Sequence, residues 1–333
     1  MPASNLRVSL ILSRNPRTEP IINGEVRAQG IDLSVTVAHP SEIFWRQLHH
    51  AEFDAGEMSL SSLMIARSRG DHRFAGLPVF STRRFFHTWI LVRADRGIER
   101  PGDLRGKRVG VPEYQQTAAV WSRGALLDEF GVEPREIEWF MERTDAMSHG
   151  SATGFTPPEG VRVNRIPAHE NIGTLMASGE LDATLLYFRE PNLVDRSTID
   201  LTKHPQVRPL FPDTAREGAR YFSKTGLYPV NHCVAIQQAL LDRHPWVAIN
   251  LYHAFVEAKN LWRSRGNDLI ETHIETGVLP VSARSAIATD PYSYGVLSNH
   301  AVLSALAGYS NEQGLTPRKL GLDEIFLPSS LDL

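Results

Sequence analysis

The sequence predicts an α/β protein with mostly parallel sheets, divided into two lobes. Short β-rich runs alternate with helical segments along most of the chain, which is the pattern of α/β folds. The length of 333 residues is long for one hydrophobic core and suits two. Hydrophobic residues make up 42% of the chain and charged residues 22%, which is typical of an ordinary folded, water-soluble protein.

The first part of the chain contains five predicted strands and two predicted helices. Alternating apolar residues predict the strands, and a serine ahead of an apolar stripe predicts where each helix begins. The predicted strands are Leu6–Leu12, Ile31–Val37, Phe53–Leu60, Phe74–Phe80 and Phe85–Arg93. The predicted helices are Ser41–His50 and Ser61–Gly70.

A strand, a polar loop and a helix follow one another in the middle of the chain. The run Arg108–Val111 is a valine-rich strand, and the helix Thr117–Phe130 begins with Thr117 as its predicted N-cap. Gly131 is the residue type that favours a helix end. Such a loop presents the free backbone N–H groups of a helix N-terminus to an anion. An ordinary strand–helix unit with a charged turn is the alternative.

The remaining part of the chain predicts three more strands and three more helices. Two segments without periodicity, 141–160 and 195–218, are predicted to be long loops. The predicted strands are Val161–Ile166, Leu181–Tyr187 and Tyr228–Ile236. The predicted helices are Asn171–Ser178, Pro245–Trp262 and Ser298–Tyr309.

Composition and charge argue against several classes of protein. A net charge of −3 without a basic block argues against binding to nucleic acid or to a membrane surface. A single cysteine, Cys233, excludes an internal disulfide and any multi-cysteine metal or redox motif. The apolar run Val8–Leu12 is too short for the core of a signal peptide, so we expect a cytoplasmic location. Whether the chain forms a homo-oligomer is left open.

Seven short stretches, taken together, resemble the 4,5-dihydroxyphthalate decarboxylase family. Each stretch is weak evidence by itself, but their order over nearly the whole chain makes the combination specific. The stretches are Phe53–Ser62, Pro78–His87, Val109–Gly124, Thr225–His232, His244–Trp246, Tyr294–Gly295 and Glu312–Gly314. Two departures from the family pattern, in 142–160 and at His300, leave the identity of the substrate open.

The resemblance implies a two-lobed fold similar to that of type II periplasmic binding proteins, with the ligand cleft between the lobes. The first lobe is expected to comprise 1–92 plus 226–333, and the second lobe 93–225. The two hinge crossings are expected near Val92–Ile98 and near Ala215–Gly226.

The resemblance also implies a non-oxidative decarboxylase that acts on a hydroxylated aromatic carboxylate without an organic cofactor. Such an enzyme needs a base for the phenol and an acid for the ring carbon. His87 and His232 are the candidate acid–base pair, in an order that the sequence leaves open, because histidine titrates near neutral pH. Glu57 is predicted to orient a phenol or a histidine, since it ends a strand that leads into a helix.

An aromatic dicarboxylate also needs cationic groups, because an unpaired carboxylate in a cleft is costly. Arg83 or Arg84 is predicted to hold a carboxylate together with Ser59 and Ser61. Alternation along the predicted strand places Arg83 on the face of His87 and turns Arg84 away. Further candidates for substrate binding are Tyr114, Gln115, Thr117, Arg123 and Arg189.

Three alternatives remain at this point. A solute-binding protein that serves a transporter has the same fold, although no export signal is evident. A thiamine-pyrimidine synthase of similar fold would be expected to carry a multi-cysteine motif, which this chain lacks. Glu57, His87 and His232 could also converge on a metal ion, but no local histidine spacing supports this, and we expect no metal site.

Overall fold

The computed structural model describes residues 5–190 and 192–333 of the chain, which form two β-sheets and the helices around them. The strands are β1 Leu6–Leu12, β2 Ile31–Val37, β3 Ala55–Ser59, β4 Phe74–Leu77, β5 Leu91–Arg93, β6 Arg108–Val111, β7 Glu138–Met141, β8 Val163–Arg165, β9 Ala183–Thr184, β10 Val207–Pro209 and β11 His232–Gln237. The helices are α1 Glu19–Ile22, α2 Pro40–His50, α3 Leu60–Ser68, α4 Thr117–Phe130, α5 His149–Ala152, α6 Ile172–Ser178, α7 Thr214–Thr225, α8 Gln238–Arg243, α9 Trp246–Glu275 and α10 His300–Glu312.

The first sheet has the strand order β2-β1-β3-β11-β4. Strands β1, β2 and β3 are parallel, whereas β11 returns from the far end of the chain and runs antiparallel to both of its neighbours. The register between β11 and β3 pairs His232 with Ser59 and Val234 with Glu57. Residues two apart share a sheet face, so Glu57 lies diagonally across from His232 on the same face.

The second sheet has the strand order β10-β5-β9-β6-β7-β8. Strands β6, β7 and β8 are parallel, β9 is parallel to β6, and β5 is antiparallel to β9 and β10. Helix α4 is buried over most of its length rather than along one face. The indole N–H of Trp121 in α4 donates to Val230 O at 2.8 Å. This contact fixes α4 against the segment that returns to the first sheet.

Two neighbouring segments, 78–90 and 210–231, connect the two sheets. Asn231 N donates to Thr82 O at 3.0 Å and Arg84 N donates to Pro229 O at 3.3 Å, so the segments run side by side. Strand β5, which contains Val92, already belongs to the second sheet, so the first crossing lies before the hinge predicted at 92–98. The division of the chain into the two predicted lobes stays a prediction.

The strand predicted at Phe85–Arg93 is wrong. Residues Phe86–Trp89 form a 3₁₀ helix, and only Leu91–Arg93 is a strand. Thr88 donates its hydroxyl to Phe85 O at 2.8 Å and closes a local turn, which competes with an extended chain. Phe86, His87 and Thr88 are consequently all buried, which an alternating strand with one exposed face would not allow.

Three predicted elements have the predicted bounds, and most of the other predicted helices and strands differ from the structure in their ends. Strands β1 and β2 and helix α4 have the predicted bounds, and Gly131 ends α4 in the left-handed conformation with φ +66°. The N-cap of α4 is Gln116 rather than Thr117. Helix α9 continues from Trp262 to Glu275 as a largely exposed arm, which the apolar pattern did not indicate. In the described part of the chain, no helix combines the length and apolar character needed to cross a membrane.

Candidate active site

A cleft of about 840 Å³ lies between the two sheets and has the size of a small-molecule site. Both sheets contribute to its wall, because the loops that follow β1, β2, β6, β7 and β9 all reach it. Its polar lining residues include Ser13, Arg14, Asn15, Arg17, His39, Ser41, Ser59, Arg83, Arg84, Gln116, Thr117, Arg143, Arg189, Glu190, Asn231 and His232.

Two long helices begin at this cleft. His39, Pro40 and Ser41 at the start of α2 line one wall, and Gln116 and Thr117 at the start of α4 line the other. The N-terminus of a helix carries free N–H groups and the positive end of its dipole. The cleft therefore offers favourable positions for negative charge from both sheets.

A buried carboxylate stands behind the cleft wall. Glu57 on β3 is completely buried, and its carboxylate accepts hydrogen bonds from Ser13 Oγ at 2.8 and 2.9 Å and from Ser81 Oγ at 3.1 Å. Three hydroxyl contacts fix its position and compensate for part of the lost hydration.

His232 lies between this carboxylate and the cleft. Its Nδ1 is 3.4 Å from Glu57 Oε2, close enough for an ion pair but not aligned as a hydrogen bond. Its Nε2 is 2.7 Å from the amide nitrogen of Asn231, and its ring packs edge-on against Phe44 with 4.7 Å between the centroids. Because the amide nitrogen donates to Nε2, the neutral ring carries its proton on Nδ1, facing Glu57. The predicted neighbourhood of Glu57 and His232 is therefore present.

His87 is not part of this cleft. It lies in the 3₁₀ helix with 2% of its surface exposed, and its Nε2 is 3.1 Å from Glu217 Oε1 on α7. Burial lowers the pKa of His87, although the neighbouring Glu217 opposes this shift. The structure does not bring His87 and His232 together in the cleft, because His232 lines it whereas His87 lies outside its lining and contacts α7.

The metal alternative loses its ligand set for the same reason. His87 contacts Glu217 whereas His232 contacts Glu57, so the predicted group of two histidines and one carboxylate does not converge. Across residues 5–190 and 192–333, no three histidine, cysteine, aspartate or glutamate side chains are placed to hold one metal ion together.

Arg83 and Arg84, the two predicted carboxylate anchors, make other contacts in the structure. Arg83 is buried and donates to Tyr228 O at 3.3 Å, to Ser293 O at 2.7 Å and to the Asn299 side chain. Burial lowers its pKa to about 10. Arg84 is exposed, and its guanidinium lies 4.4 Å from the ring centroid of Trp89. Arg83 thus holds the first crossing segment against the C-terminal part of the chain, and neither arginine is a buried, free anchor.

The predicted serine and threonine residues form one hydroxyl network between the sheets. Thr117 Oγ1 accepts from Ser61 N at 3.0 Å and lies 3.0 Å from Ser59 Oγ, and Ser61 Oγ donates to Gln115 O at 2.6 Å. Ser59 and Thr117 line the cleft, whereas Ser61 and the side chain of Gln115 are buried behind it. This network fixes the start of α4 against the end of β3.

Three further predicted residues separate into two groups. Arg123 and Tyr114 are buried away from the cleft, with the guanidinium 3.8 Å from the ring centroid and Nε donating to Gln313 at 2.9 Å. Burial lowers the pKa of Arg123 and raises the pKa of Tyr114. Arg189 does line the cleft, but it is largely exposed and lies 3.4 Å from Asp200.

Sequence reasoning missed several polar groups of the cleft. Arg143 donates to Asp195 Oδ1 at 2.7 Å and to Ser41 Oγ at 2.6 Å, and so joins the two sides of the cleft. His39 accepts from Ser41 N at 3.3 Å at the start of α2, and burial lowers its pKa. Arg17 is buried, donates from Nε to Ser81 O at 2.9 Å and stacks on Tyr292. The sequence indicates Arg17 and His39 only by their position, because they follow strands β1 and β2, where α/β sheets place ligand sites.

Comparison with known proteins places the chain among two groups of similar proteins. Residues 26–153 match the family described as the periplasmic substrate-binding protein of a phosphonate ABC transporter. A 4,5-dihydroxyphthalate decarboxylase of Comamonas testosteroni is 34% identical over 332 residues, which is 99% of this chain and 98% of that protein. A protein of the same name from Pseudomonas putida is 36% identical over 210 residues, covering 63% of this chain and 79% of that protein.

A solved structure agrees with the observed architecture. The periplasmic aliphatic sulphonate-binding protein SsuA of Escherichia coli has a TM-score of 0.57 at 14% identity, with 97% of this chain and 92% of that chain covered. This likeness concerns the fold alone. Together with the two sheets, it confirms the predicted two-lobed fold of the periplasmic-binding-protein type.

Proposed function

The chain belongs to the 4,5-dihydroxyphthalate decarboxylase family, and on this premise we propose that it removes CO₂ from a hydroxylated benzene dicarboxylate, with 4,5-dihydroxyphthalate as the expected substrate. The observation that carries the proposal is the buried pair of Glu57 and His232 at the wall of the cleft. A carboxylate behind a histidine orients the ring and stabilises its protonated form, which suits proton transfer.

The reaction exchanges a carboxylate for a proton on one ring carbon. Loss of the proton from the hydroxyl para to the departing carboxylate pushes electron density onto the carbon that bears this carboxylate. A proton donor then forms a C–H bond at that carbon, which gives a dienone-like intermediate. The C–C bond breaks, its electron pair returns to the ring, and CO₂ leaves. The net change is ring-COO⁻ plus H⁺ to ring-H plus CO₂, so no oxidant or reductant is consumed.

We assign the proton transfer to the ring carbon to His232, with Glu57 as the residue that positions it. His232 lines the cleft, whereas Glu57 is sealed behind it and can act only through the histidine. General acid catalysis of this kind contributes about 10²–10⁴-fold to a rate. The helix N-termini at His39 and Gln116 provide the favourable potential for a dianionic substrate.

A solute-binding protein for an aromatic carboxylate is the second candidate, favoured by the match of residues 26–153 to a binding-protein family. Fold alone does not separate binding from catalysis. Turnover does separate them, because a binding protein releases its ligand unchanged.

The deciding experiment incubates purified protein with 4,5-dihydroxyphthalate and follows both CO₂ and 3,4-dihydroxybenzoate. We expect equal amounts of the two products, and the matched variant His232→Gln should bind the substrate but lose turnover at least about 100-fold. Saturable binding without product by the wild-type protein would support the solute-binding candidate. A cytoplasmic location belongs to the same proposal, to be tested by fractionating cells that produce the protein.

A further inference from the structure

Six arginines line the cleft, and five of them already have partners or face solvent. Arg14 pairs with Glu19, Arg143 with Asp195, and Arg189 with Asp200. Arg83 donates to groups of the returning chain, and Arg84 is exposed over Trp89. An arginine that already holds a carboxylate loses that partner if it binds another, so Arg14, Arg143 and Arg189 are poor anchors for a substrate. Arg83 is already held by carbonyl and amide oxygens, and Arg84 is exposed, where an ion pair is weak.

Arg17 differs from the other five. It is 9% exposed, and its Nε donates to Ser81 O at 2.9 Å. Its guanidinium stacks over Tyr292 at 4.0 Å from the ring centroid and over Trp262 at 5.3 Å. Within residues 5–190 and 192–333, it has no acidic partner and neither Nη atom makes a hydrogen bond. Neither Nη atom is among the fully buried unpaired atoms, and the residue lines the cleft. The two free Nη groups of a held guanidinium form the fork that a carboxylate binds most strongly.

Ser81 connects this arginine to the proposed proton donor. Its carbonyl holds Arg17, and its hydroxyl donates to Glu57 Oε1 at 3.1 Å, while Glu57 Oε2 lies 3.4 Å from His232. Ser81, in the first of the two segments that connect the sheets, thus supports both the free guanidinium of Arg17 and, through Glu57, the cleft-facing His232. A benzene-1,2-dicarboxylate likewise places its second carboxylate on the carbon next to the reacting one.

We propose that Arg17 binds the carboxylate that the substrate keeps, and that it selects 1,2-dicarboxylates over monocarboxylates. This inference rests on the proposed function and names the residue that sets its substrate class. An arginine that holds a carboxylate far from the breaking bond interacts equally with substrate and transition state. Arg17 is therefore expected to determine affinity rather than turnover.

The test measures binding of phthalate and of benzoate by calorimetry. Neither compound has the ring hydroxyl that the reaction needs, so both stay intact during the measurement. Wild-type protein should bind phthalate more tightly than benzoate, and Arg17→Met should reduce this preference by about tenfold or more, because it removes a charge-assisted contact. Benzoate affinity should change by less than about twofold. Arg46→Met, in α2 beside Glu42 and outside the cleft lining, is the matched control and should keep the full preference.

A preference unchanged in Arg17→Met, or lost in Arg84→Met instead, overturns the proposal. Equal weakening of both ligands also overturns it, since Arg17 would then hold the departing carboxylate or the cleft itself. Arg17→Lys, which keeps the charge and the apolar stem but not the fork, should lose part of the preference and serves if the methionine variant does not fold. Binding does not require turnover, so these results stand even if the purified protein releases no CO₂.

Discussion

Replacing Glu57 by glutamine is the most direct perturbation of the proposed proton-transfer pair. The change keeps the size of the side chain and removes its negative charge from a site with no exposed surface. Ser13 Oγ contacts both carboxylate oxygens with a single hydroxyl proton, so in the variant it can donate to the amide oxygen and accept from the amide nitrogen, and the contact from Ser81 Oγ can persist to the amide oxygen.

Two effects follow, and they differ in size and in what they change. The exchange of hydrogen bonds to a carboxylate for weaker ones to a neutral amide should lower the free energy of unfolding by about 1 kcal/mol. Loss of the charge 3.4 Å from His232 Nδ1 removes the ion pair that positions this histidine, so turnover should fall by about tenfold or more, which is part of the about 10²–10⁴-fold that general acid catalysis contributes. The Michaelis constant should stay within about twofold, because Glu57 is sealed behind the histidine.

Initial rates of CO₂ release and melting temperatures of the wild-type protein and three variants provide the assay. Asp54→Asn is the matched control, since Asp54 also accepts a serine hydroxyl, from Ser9 at 2.8 Å, but lies outside the cleft lining. Glu57→Asp keeps the charge and should recover part of the turnover. Wild-type turnover in a folded Glu57→Gln variant would refute the positioning role, as would a change confined to the Michaelis constant.

Three further predictions concern His87, metal ions and pH. His87→Phe should keep turnover within about twofold while lowering the melting temperature, because His87 contacts Glu217 rather than the cleft; a loss above tenfold would contradict this. Turnover should survive dialysis against a strong chelator, and loss that one divalent ion restores would contradict this expectation. As the pH drops below about 6.5, the free energy of unfolding should decrease. Burial holds the pKa of His149 well below its usual value, so at these pH values the unfolded chain binds a proton that the folded chain does not. Chemical denaturation should show that His149→Gln removes up to about 1.4 kcal/mol per pH unit from this slope between about pH 6.5 and 5; an unchanged slope would contradict the assignment.

Local sequence signals predicted the parts of the fold that depend on local structure. Strands β1 and β2 have alternating apolar residues, and helix α4 ends at a glycine that adopts φ +66°, so their bounds agree with the prediction. The strand prediction for Phe85–Arg93 was wrong because the apolar residues of this segment suit a strand and a buried 3₁₀ turn equally well. The contact of His87 with Glu217, 130 positions later in the chain, is one of the interactions that accompany the 3₁₀ turn and that the local sequence does not contain.

The same argument explains why the sequence could place Glu57 near His232 but could not single out Arg17. Glu57 and His232 are neighbours through the register of two strands, and each stands in a stretch typical of the family. Arg17 stands in a short loop after β1, three positions after another arginine. What makes it a candidate anchor is that the other arginines of the cleft are paired or exposed, and pairs such as Arg143 with Asp195 join residues 52 positions apart. A list of charges can be taken from a sequence, but the charge that remains free to bind a ligand is defined only after the long-range pairs have formed.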